Sequence, residues 1–302
     1  MRRRALLSAC VPGAVALLSG CIGPGDSTRP TTSTVPDGAI GCPRYTEQVE
    51  TVVCTPDLDD PSSQMAMRPA SASGTLPEAS FSFSLTNERD TTFNTNVYAW
   101  RIQKYVDGRW LHVTPQFWPE PLMLMAPGDS HTWNLTVDNR NLDRSIPHPQ
   151  GTEDVTVVGL GGGTYSFGIE GSFEDGEHSA RTAFVTRFRL EGEGLAFGPT
   201  PDVAERVREG DKVIVRWPRD EGEAIVYRVT RLKSVPDDAE LVIPEQAIRN
   251  DALRNALSLF EQWTRIVELR TTDAVLAAGE LPDDRVILYE GTAYRIEVES
   301  AG

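Results

Sequence analysis

The sequence is poor in lysine, and its basic residues are outnumbered by acidic ones. Its 302 residues hold 29 lysine and arginine residues against 44 aspartate and glutamate residues, a formal net charge of −15. Only three residues are lysines, Lys104, Lys212 and Lys233. Nucleic-acid binding depends on clustered cations that neutralise phosphates, so this acidic composition excludes a nucleic-acid partner.

Cysteine is scarce too, with four in the chain. Cys10 and Cys21 lie in the first 21 residues, which leaves Cys42 and Cys54. In an exported chain, two nearby cysteines predict one local disulfide. A zinc site would need further ligands, and the neighbouring residues offer no histidine or third cysteine. We therefore predict a disulfide between Cys42 and Cys54 and no metal site.

Residues that would assemble a catalytic site are also few. The four histidines lack metal-binding spacing: His112, His131, His148 and His178. No Gly-x-Ser-x-Gly motif is present, so nucleophilic hydrolysis has no local motif. The glycine run at 161–163 precedes an alternating strand, whereas a phosphate-binding loop requires a helix at that point. The sequence therefore predicts no catalytic residue and no cofactor.

The N-terminal stretch MRRRALLSACVPGAVALLSGC indicates where the protein resides. Its apolar run is shorter than the roughly 20 residues that cross a bilayer, so residues 1–20 predict a secretory signal peptide. The sequence at 18–21, LSGC, resembles a lipobox, in which a peptidase cuts before the cysteine and the thiol carries a lipid. We expect Cys21 to anchor the chain to the membrane, on the extracellular face.

Two alternatives concern this N-terminal stretch. In the first, the signal peptide is cleaved and Cys21 remains an unmodified cysteine. The second concerns the export route, because RRALL at 3–7 also resembles a twin-arginine export signal. The twin-arginine and general routes both remain open on the sequence.

Composition divides the rest of the chain into three parts. Residues 21–41 are dense in glycine, proline, serine and threonine and predict a flexible linker, because they have too few large apolar side chains to form a core. Residues 42–193 show short strand patterns separated by turns. A glycine- and proline-rich stretch follows, and residues 201–302 mix strand and helix patterns. We expect a folded domain in each of these last two regions.

The region 42–193 predicts a two-sheet β-sandwich. Phe81, Phe83 and Leu85 alternate with serines, the period-two pattern of a strand with one buried face. Asp107 and Gly108 separate two further strand patterns, a strong hairpin signal because both residues of that turn favour positive φ. About seven strands without a convincing helix are typical of a sandwich.

Four segments of this region carry a family resemblance: FSFSLTN, VYAWRIQKYVDGRWLHVTP, MAPGDSHTWNLTVD and GGGTYSFGI. They resemble the immunoglobulin-like modules of secreted bacterial and archaeal lipoproteins. The resemblance implies that Trp100 is a core tryptophan and that the Tyr165 hydroxyl bonds to nearby backbone at a strand corner. The family's inter-sheet disulfide is absent here. The acidic, arginine-rich composition is similar to that of haloarchaeal proteins, the alternative being an ordinary acidic secreted protein.

The region 201–302 predicts a small α+β domain. DKVIVRW and AIVYRVTRL read as strands, and one amphipathic helix is expected from Pro244 through PEQAIRNDALRNALSLFEQW. TTDAVLAAG predicts a second, short helix, and a hairpin is expected to turn at Glu290 and Gly291. This region resembles small uncharacterised haloarchaeal domains, a resemblance that implies no activity.

Two surface features are candidate sites. Asn134, Leu135 and Thr136 form a glycosylation sequon, and strand alternation directs Asn134 to solvent, although sequons also arise by chance. The sequence FWPEP at 117–121 follows a strand and is rich in rigid aromatic and proline residues. Such a loop is typical either of a binding surface or of a cap on the core.

These observations predict a non-enzymatic, lipid-anchored cell-surface protein that binds a protein or glycan ligand or organises the envelope. One alternative is a membrane-anchored extracellular enzyme whose site lies in the C-terminal domain. Its acid–base groups would be carboxylates remote in sequence, such as Glu245, Glu261 and Glu268. Another alternative is an accessory subunit of a transport or export system, since a fold does not specify a partner.

Overall fold

The structure is a computed structural model, and it describes residues 40–45, 48–60, 64–149, 151–174, 180–203, 205–216, 224–272 and 285–300. With 50% strand and 6% helix, the fold is mostly β, as the sequence predicts. The signal peptide, Cys21 and nearly all of the predicted linker lie outside the described residues. So does most of the helix predicted at TTDAVLAAG. None of the described helices is long and apolar enough to cross a membrane.

Twelve described strands precede residue 192. They are β1 (Val49–Cys54), β2 (Met67–Pro69), β3 (Ser73–Thr75), β4 (Glu78–Thr86), β5 (Phe93–Thr95), β6 (Arg101–Val106), β7 (Arg109–Thr114), β8 (Met123–Met125), β9 (Ser130–Asp138), β10 (Asp154–Val157), β11 (Gly163–Phe173) and β12 (Arg181–Glu191). A short 3-10 helix, Thr55–Asp57, follows β1.

Seven described strands and two helices follow. They are β13 (Glu205–Glu209), β14 (Lys212–Arg216), β15 (Ala224–Arg231), β16 (Glu240–Val242), α1 (Pro244–Ala247), α2 (Asp251–Leu257), β17 (Ile266–Thr272), β18 (Arg285–Tyr289) and β19 (Thr292–Ser300). All described residues belong to one compact unit, Pro36–Gly302. The domain boundary expected between residues 193 and 201 stays a prediction.

The first twelve strands form two sheets. The first sheet runs β1-β12-β11-β5-β8, with β3 paired to β12, β6 to β11, and β7 to β6. The second sheet runs β10-β9-β4-β2. Strand β11 is long enough to pair with two neighbours, with β6 from Tyr165 to Gly168 and with β5 from Gly171 to Phe173.

The inner faces of these two sheets share one core. Phe83 of the second sheet stacks on Phe167 of the first, with ring centroids 4.3 Å apart. Trp133 packs against the same Phe167 at 5.6 Å, and its indole N–H donates to the Val97 carbonyl. Aromatic pairs of this kind contribute about 0.5–1.5 kcal/mol each beyond the area that they bury. Trp100, expected to be a core residue, is 1% exposed.

Both hairpins predicted from two-residue turns are confirmed. β6 and β7 pair antiparallel around Asp107 and Gly108, whose φ angles are 48° and 80°. β18 and β19 pair antiparallel around Glu290 and Gly291, whose φ angles are 46° and 76°. Positive φ at both central residues is the requirement that made these dipeptides informative in the sequence.

The remaining strands form a third sheet with its own core. Its order is β13-β14-β17-β15-β19-β18-β16. Leu253 and Ala256 of α2 lie in a buried cluster with Val229, Leu269 and Ile296 of the sheet. The amphipathic pattern of the helical segment therefore buries the expected apolar face against the sheet.

The prediction of one continuous helix from Pro244 is wrong. The structure has two short helices, α1 and α2, with Ile248–Asn250 between them. Asn250 has an extended backbone (φ −110°, ψ 106°), and its side-chain oxygen accepts a hydrogen bond from the Leu253 amide. This side chain caps α2, so the backbone leaves the helical conformation at Asn250 and a second helix begins.

Candidate functional site

The aromatic loop at 117–121 forms part of a pocket of about 420 Å³. Three segments of the chain meet there: the approach to β6, the loop after β7 and the loop between β9 and β10. The described lining residues are mostly aromatic or proline: Tyr98, Trp100, Phe117, Trp118, Pro119, His148, Pro149 and Gly151. The volume lies within the roughly 300–1,000 Å³ of typical ligand sites.

Hydrogen bonds hold the three segments together. The Asn96 side chain accepts from the Tyr98 amide at 3.0 Å and donates to the Pro119 carbonyl at 2.7 Å. The Trp100 indole N–H donates to the Gly151 carbonyl at 3.4 Å. The pocket is therefore built on backbone positions that the fold fixes.

The aromatic side chains of the pocket differ in exposure. Trp100 is buried, whereas Phe117 is 54% exposed and meets the His148 ring edge-on, with centroids 5.7 Å apart. The Arg101 guanidinium lies beside the pocket, 5.6 Å from the Trp118 ring and 5.7 Å from the Tyr45 ring. Both distances are within the range of cation–π attraction.

Several polar groups of the pocket have no hydrogen-bond partner among the described residues. In the part of the chain that the structure describes, no hydrogen bond engages the Tyr98 hydroxyl or the Trp118 indole N–H. The His148 ring contacts Phe117 through its edge but has no hydrogen bond within the same residues. These groups are hydrogen-bond donors or, for the imidazole and hydroxyl, both donors and acceptors.

Arginines of the C-terminal region hold the loop that carries His148. Arg254 is fully buried and donates to the carbonyls of Leu142 (2.5 Å) and Arg144 (2.6 Å). Arg249 donates to the carbonyls of Val158 (2.7 Å) and Gly159 (3.0 Å). Arg254, on α2, thus holds the first part of this loop, and Arg249, between the two helices, holds the chain just after β10.

Glu245 is a buried carboxylate with a structural role. Its Oε1 accepts hydrogen bonds from Lys104 Nζ (2.5 Å), the Gly161 amide (3.0 Å) and the Tyr165 hydroxyl (3.1 Å). The Tyr165 hydroxyl also lies 2.7 Å from the Gly161 carbonyl, the contact that the resemblance implied. Burial, and then the Glu245 charge, raise the pKa of Tyr165 well above its ordinary value. Glu245 thus joins α1 to the first sheet.

The glycine run at 161–163 serves this contact. A Cβ on Gly161 would lie 2.3 Å from the Leu195 amide nitrogen and 2.9 Å from Glu245 Oε1. The Gly161 amide therefore binds an anion, but that anion is a carboxylate of the same chain. Near the Glu245 carboxylate, burial lowers the pKa of Arg249 to about 10. The glycine run before β11 is thus a site of close packing.

The structure does not assemble the three remote carboxylates into one site. Glu268 accepts hydrogen bonds from Arg228 (3.1 Å) and Lys212 (3.4 Å). Burial alone would raise the pKa of Glu268, but these two partners hold it below its ordinary value. Glu261 accepts from the Trp263 indole at 2.6 Å. Each carboxylate has partners of its own, separate from those of Glu245.

The other predicted site residues lie outside the pocket lining. Cys42 and Cys54 form a disulfide. Asp57 lies close to both sulfurs, but bonded sulfurs are not the thiolates that a metal requires. Asn134 is exposed on β9 and its side-chain amide donates to Asp154 at 3.1 Å. Cys21 lies outside the described residues.

Several pocket residues were missed from the sequence. Tyr98 lies in one of the segments that carry the family resemblance, and the sequence gives His148, Pro149 and Gly151 no role in a binding site. They reach the pocket from loops separated by up to about fifty residues, so no local spacing could reveal them. The aromatic loop at 117–121 was the one local indication.

Comparison with known proteins adds no relative. No family model matches the sequence, no curated protein matches it, and no solved structure matches it. Function must therefore be inferred from the chemistry of the pocket and from the sequence motifs.

Proposed function

We propose that this protein is a lipid-anchored, non-enzymatic binding protein on the extracellular face of the cell membrane, and that the aromatic pocket is its binding site. The pocket itself is the observation that carries the proposal. It combines a ligand-sized volume, aromatic rings and polar groups that no hydrogen bond engages within the described residues. Mostly apolar pockets with a few free polar groups are typical binding sites.

The finer architecture belongs to the same proposal. Residues 42–193 would be an immunoglobulin-like sandwich, followed by an α+β domain over 201–302. The pairing of β11 with both β6 and β12 supports this, as do the burial of Trp100 and the bond from Tyr165 to Gly161. Loops at the ends of such sandwiches commonly carry binding surfaces.

The sequence motifs support the membrane location and the source. A basic start, an apolar run and LSGC before residue 22 support lipidation of Cys21. The sequence has 44 acidic and 29 basic residues, and this acidic excess supports a haloarchaeal source. The enzyme alternative has less support, because Glu245, Glu261 and Glu268 each hydrogen-bond to other side chains or backbone.

The anchor is tested by substitution of Cys21. We expect Cys21→Ser to release the protein from the membrane fraction and to remove the lipid mass from the mature N-terminus in mass spectrometry. Cys10→Ser is the matched control, since Cys10 lies inside the proposed signal peptide and its loss should change neither result. A Cys21→Ser chain that stays membrane-bound would contradict the anchor.

The binding role is tested by photo-crosslinking on intact cells. A photoreactive phenylalanine analogue at Phe117, which is 54% exposed, should give a discrete crosslinked product. The same analogue at Val207, which is 53% exposed and lies on the third sheet, is the matched control. Equal crosslinking at both positions, or none at Phe117, would contradict a binding role for the pocket.

A further inference from the structure

We infer that the aromatic pocket binds an extended, proline-containing segment of a partner protein. This inference rests on the proposed function and specifies its ligand. The pocket and such a segment match in hydrogen bonding, ring packing and charge.

The hydrogen-bonding groups of the pocket match a proline-rich backbone. Proline has no amide N–H, so a proline-rich segment presents carbonyl acceptors and few donors. The pocket presents two groups that can donate, the Tyr98 hydroxyl and the Trp118 indole N–H, and neither is engaged within the described residues. Ligand carbonyls would satisfy both donors.

The pocket's rings match the shape of the same segment. A polyproline II helix has three residues per turn and exposes its rings and carbonyls alternately. Grooves lined by aromatic side chains bind such helices because the extended conformation is already formed and little entropy is lost. Tyr98, Phe117 and Trp118 supply the aromatic faces, and Pro119 and Pro149 complete the apolar lining.

Charge argues against ionic ligands. The Arg101 guanidinium lies over the Trp118 and Tyr45 rings, so a quaternary ammonium group would meet a like charge. The net charge of −15 repels an anion approaching from solution. A ligand segment that is locally neutral meets neither repulsion.

The side-chain acceptors of the pocket are too few for a sugar. Sugar hydroxyls donate as well as accept hydrogen bonds, and specific sites need acceptors for them. Among the described lining residues there is no aspartate, glutamate, asparagine or glutamine. A proline-rich segment has no such requirement.

Exposed apolar residues follow the aromatic loop in the sequence. Leu122, Met123 and Leu124 are 74%, 38% and 59% exposed, and they continue from Phe117 along the chain. Met123 and Leu124 belong to β8, which among the described strands pairs only with β5 at the edge of the first sheet. Exposed apolar residues on a sheet edge are a common site of protein association, so the ligand would be a polypeptide longer than the pocket.

The test is a titration of the full-length chain in a mild detergent. Tryptophan fluorescence and calorimetry would follow three probes: decaproline, a Gly-Ser decamer and a neutral hexasaccharide. We expect decaproline to bind weakly, with a Kd of about 10 μM–1 mM. The Gly-Ser decamer should bind at least about tenfold more weakly, because it lacks the rings and the preformed helix.

Substitutions locate the binding. Trp118→Ala should weaken decaproline binding about tenfold or more, as expected for a central aromatic residue. Tyr98→Phe keeps the ring and removes one donor, so a loss of roughly two- to tenfold is expected. Trp263→Ala, at a tryptophan of the third-sheet region, should leave the Kd unchanged. Circular dichroism of each variant checks that the fold is kept.

The outcomes separate the ligand from the function. Decaproline binding no tighter than that of the Gly-Ser decamer, or unaffected by Trp118→Ala and Tyr98→Phe, would overturn the inference. Hexasaccharide binding that is lost in Trp118→Ala would also overturn it, but would leave the proposed binding role of the pocket standing. Failure of the crosslinking at Phe117 would instead remove the proposed function itself.

Discussion

At the residue scale, Glu245 illustrates how a buried charge is accommodated. Its side chain is fully buried, while that of its partner Lys104 is 12% exposed. The desolvation of the carboxylate is offset by three donors, from Lys104, Gly161 and Tyr165, all on one oxygen. Such an arrangement stabilises the fold only while every donor retains its acceptor.

Removal of this carboxylate should therefore be costly. We expect Glu245→Ala to lower the free energy of unfolding by about 3–5 kcal/mol, because it leaves the Lys104 charge and the buried Gly161 amide without this acceptor. Glu245→Gln should cost less, since its amide oxygen still accepts. Urea unfolding followed by fluorescence measures both variants.

The control for this prediction is an exposed ion pair. Asp211 and Arg265 have side chains 55% and 56% exposed. Asp211→Ala should cost no more than about 1 kcal/mol, the usual value of a surface pair. Similar losses in Asp211→Ala and Glu245→Ala would contradict a special role for burial.

His112 carries a prediction about pH. Burial lowers the pKa of His112 below 6.5, and the charges of Arg101 and Arg249 act in the same direction. The folded state therefore binds a proton less readily than the unfolded chain. The stability that follows from keeping His112 neutral is fully present above pH 6.5. It is lost as the pH falls through that value toward the pKa of His112 in the folded state.

We expect the free energy of unfolding to fall between about pH 7.5 and pH 5.5, and His112→Gln to reduce that slope. Urea unfolding at a series of pH values provides the measurement. His148→Gln is the control, because His148 is exposed and its ring has no hydrogen bond within the described residues. A slope unchanged in His112→Gln would exclude His112 as its source.

At the scale of elements, strands were easier to predict than helices. Phe81, Phe83 and Leu85 alternate strictly, and all three are buried on β4. The apolar face of the helical segment was also identified, but its interruption was not. Helical periodicity continues through Asn250, and only the local hydrogen bond from Leu253 shows that this residue caps a new helix.

Gly161, which precedes β11, carries a prediction about the space available for a side chain. A Cβ on Gly161 would lie 2.3 Å from the Leu195 amide nitrogen, whereas a Cβ on Gly198 would meet nothing within 4 Å. We expect Gly161→Ala to cost about 1–3 kcal/mol, because backbone must move to admit the methyl group.

Gly198→Ala is the matched control, and its cost should be close to zero. Thermal unfolding of both variants measures the difference. Equal stability of the two variants would show that the contact between Gly161 and Leu195 relaxes without cost.

The pocket was only partly predictable for a related reason. The loop at 117–121 stood out because aromatic and proline residues lie together in the sequence. His148 and Gly151 lack such a pattern, since their position depends on β9, on β10 and on Arg254, which holds the intervening loop. Sites assembled from distant loops leave no periodic trace.

At the scale of the whole molecule, net charge predicts a response to salt. The net charge of −15 makes the folded state repel itself. The screening length falls from about 10 Å at 0.1 M salt to about 3 Å at 1 M. We expect the thermal midpoint to rise by roughly 2–4 °C or more between these concentrations, the shift that about 1 kcal/mol produces in a chain of similar size.

Scanning calorimetry at increasing NaCl concentration measures that midpoint. KCl at equal ionic strength is the control, because screening depends on ionic strength and not on the cation. A midpoint that falls with salt would indicate that attractive ion pairs outweigh the repulsion.

The arginines of the helical segment join the C-terminal region to the chain around the proposed binding pocket. Arg254 donates hydrogen bonds to the carbonyls of residues 142 and 144, which precede His148 and Gly151 in the sequence. Arg249 donates to the carbonyls of residues 158 and 159, which follow them. A polypeptide trimmed after residue 200 would keep the strands of both early sheets yet lose these clamps. The pocket wall would then be less firmly held. Recombinant fragments that omit the last third should therefore bind any natural ligand more weakly than the whole chain does.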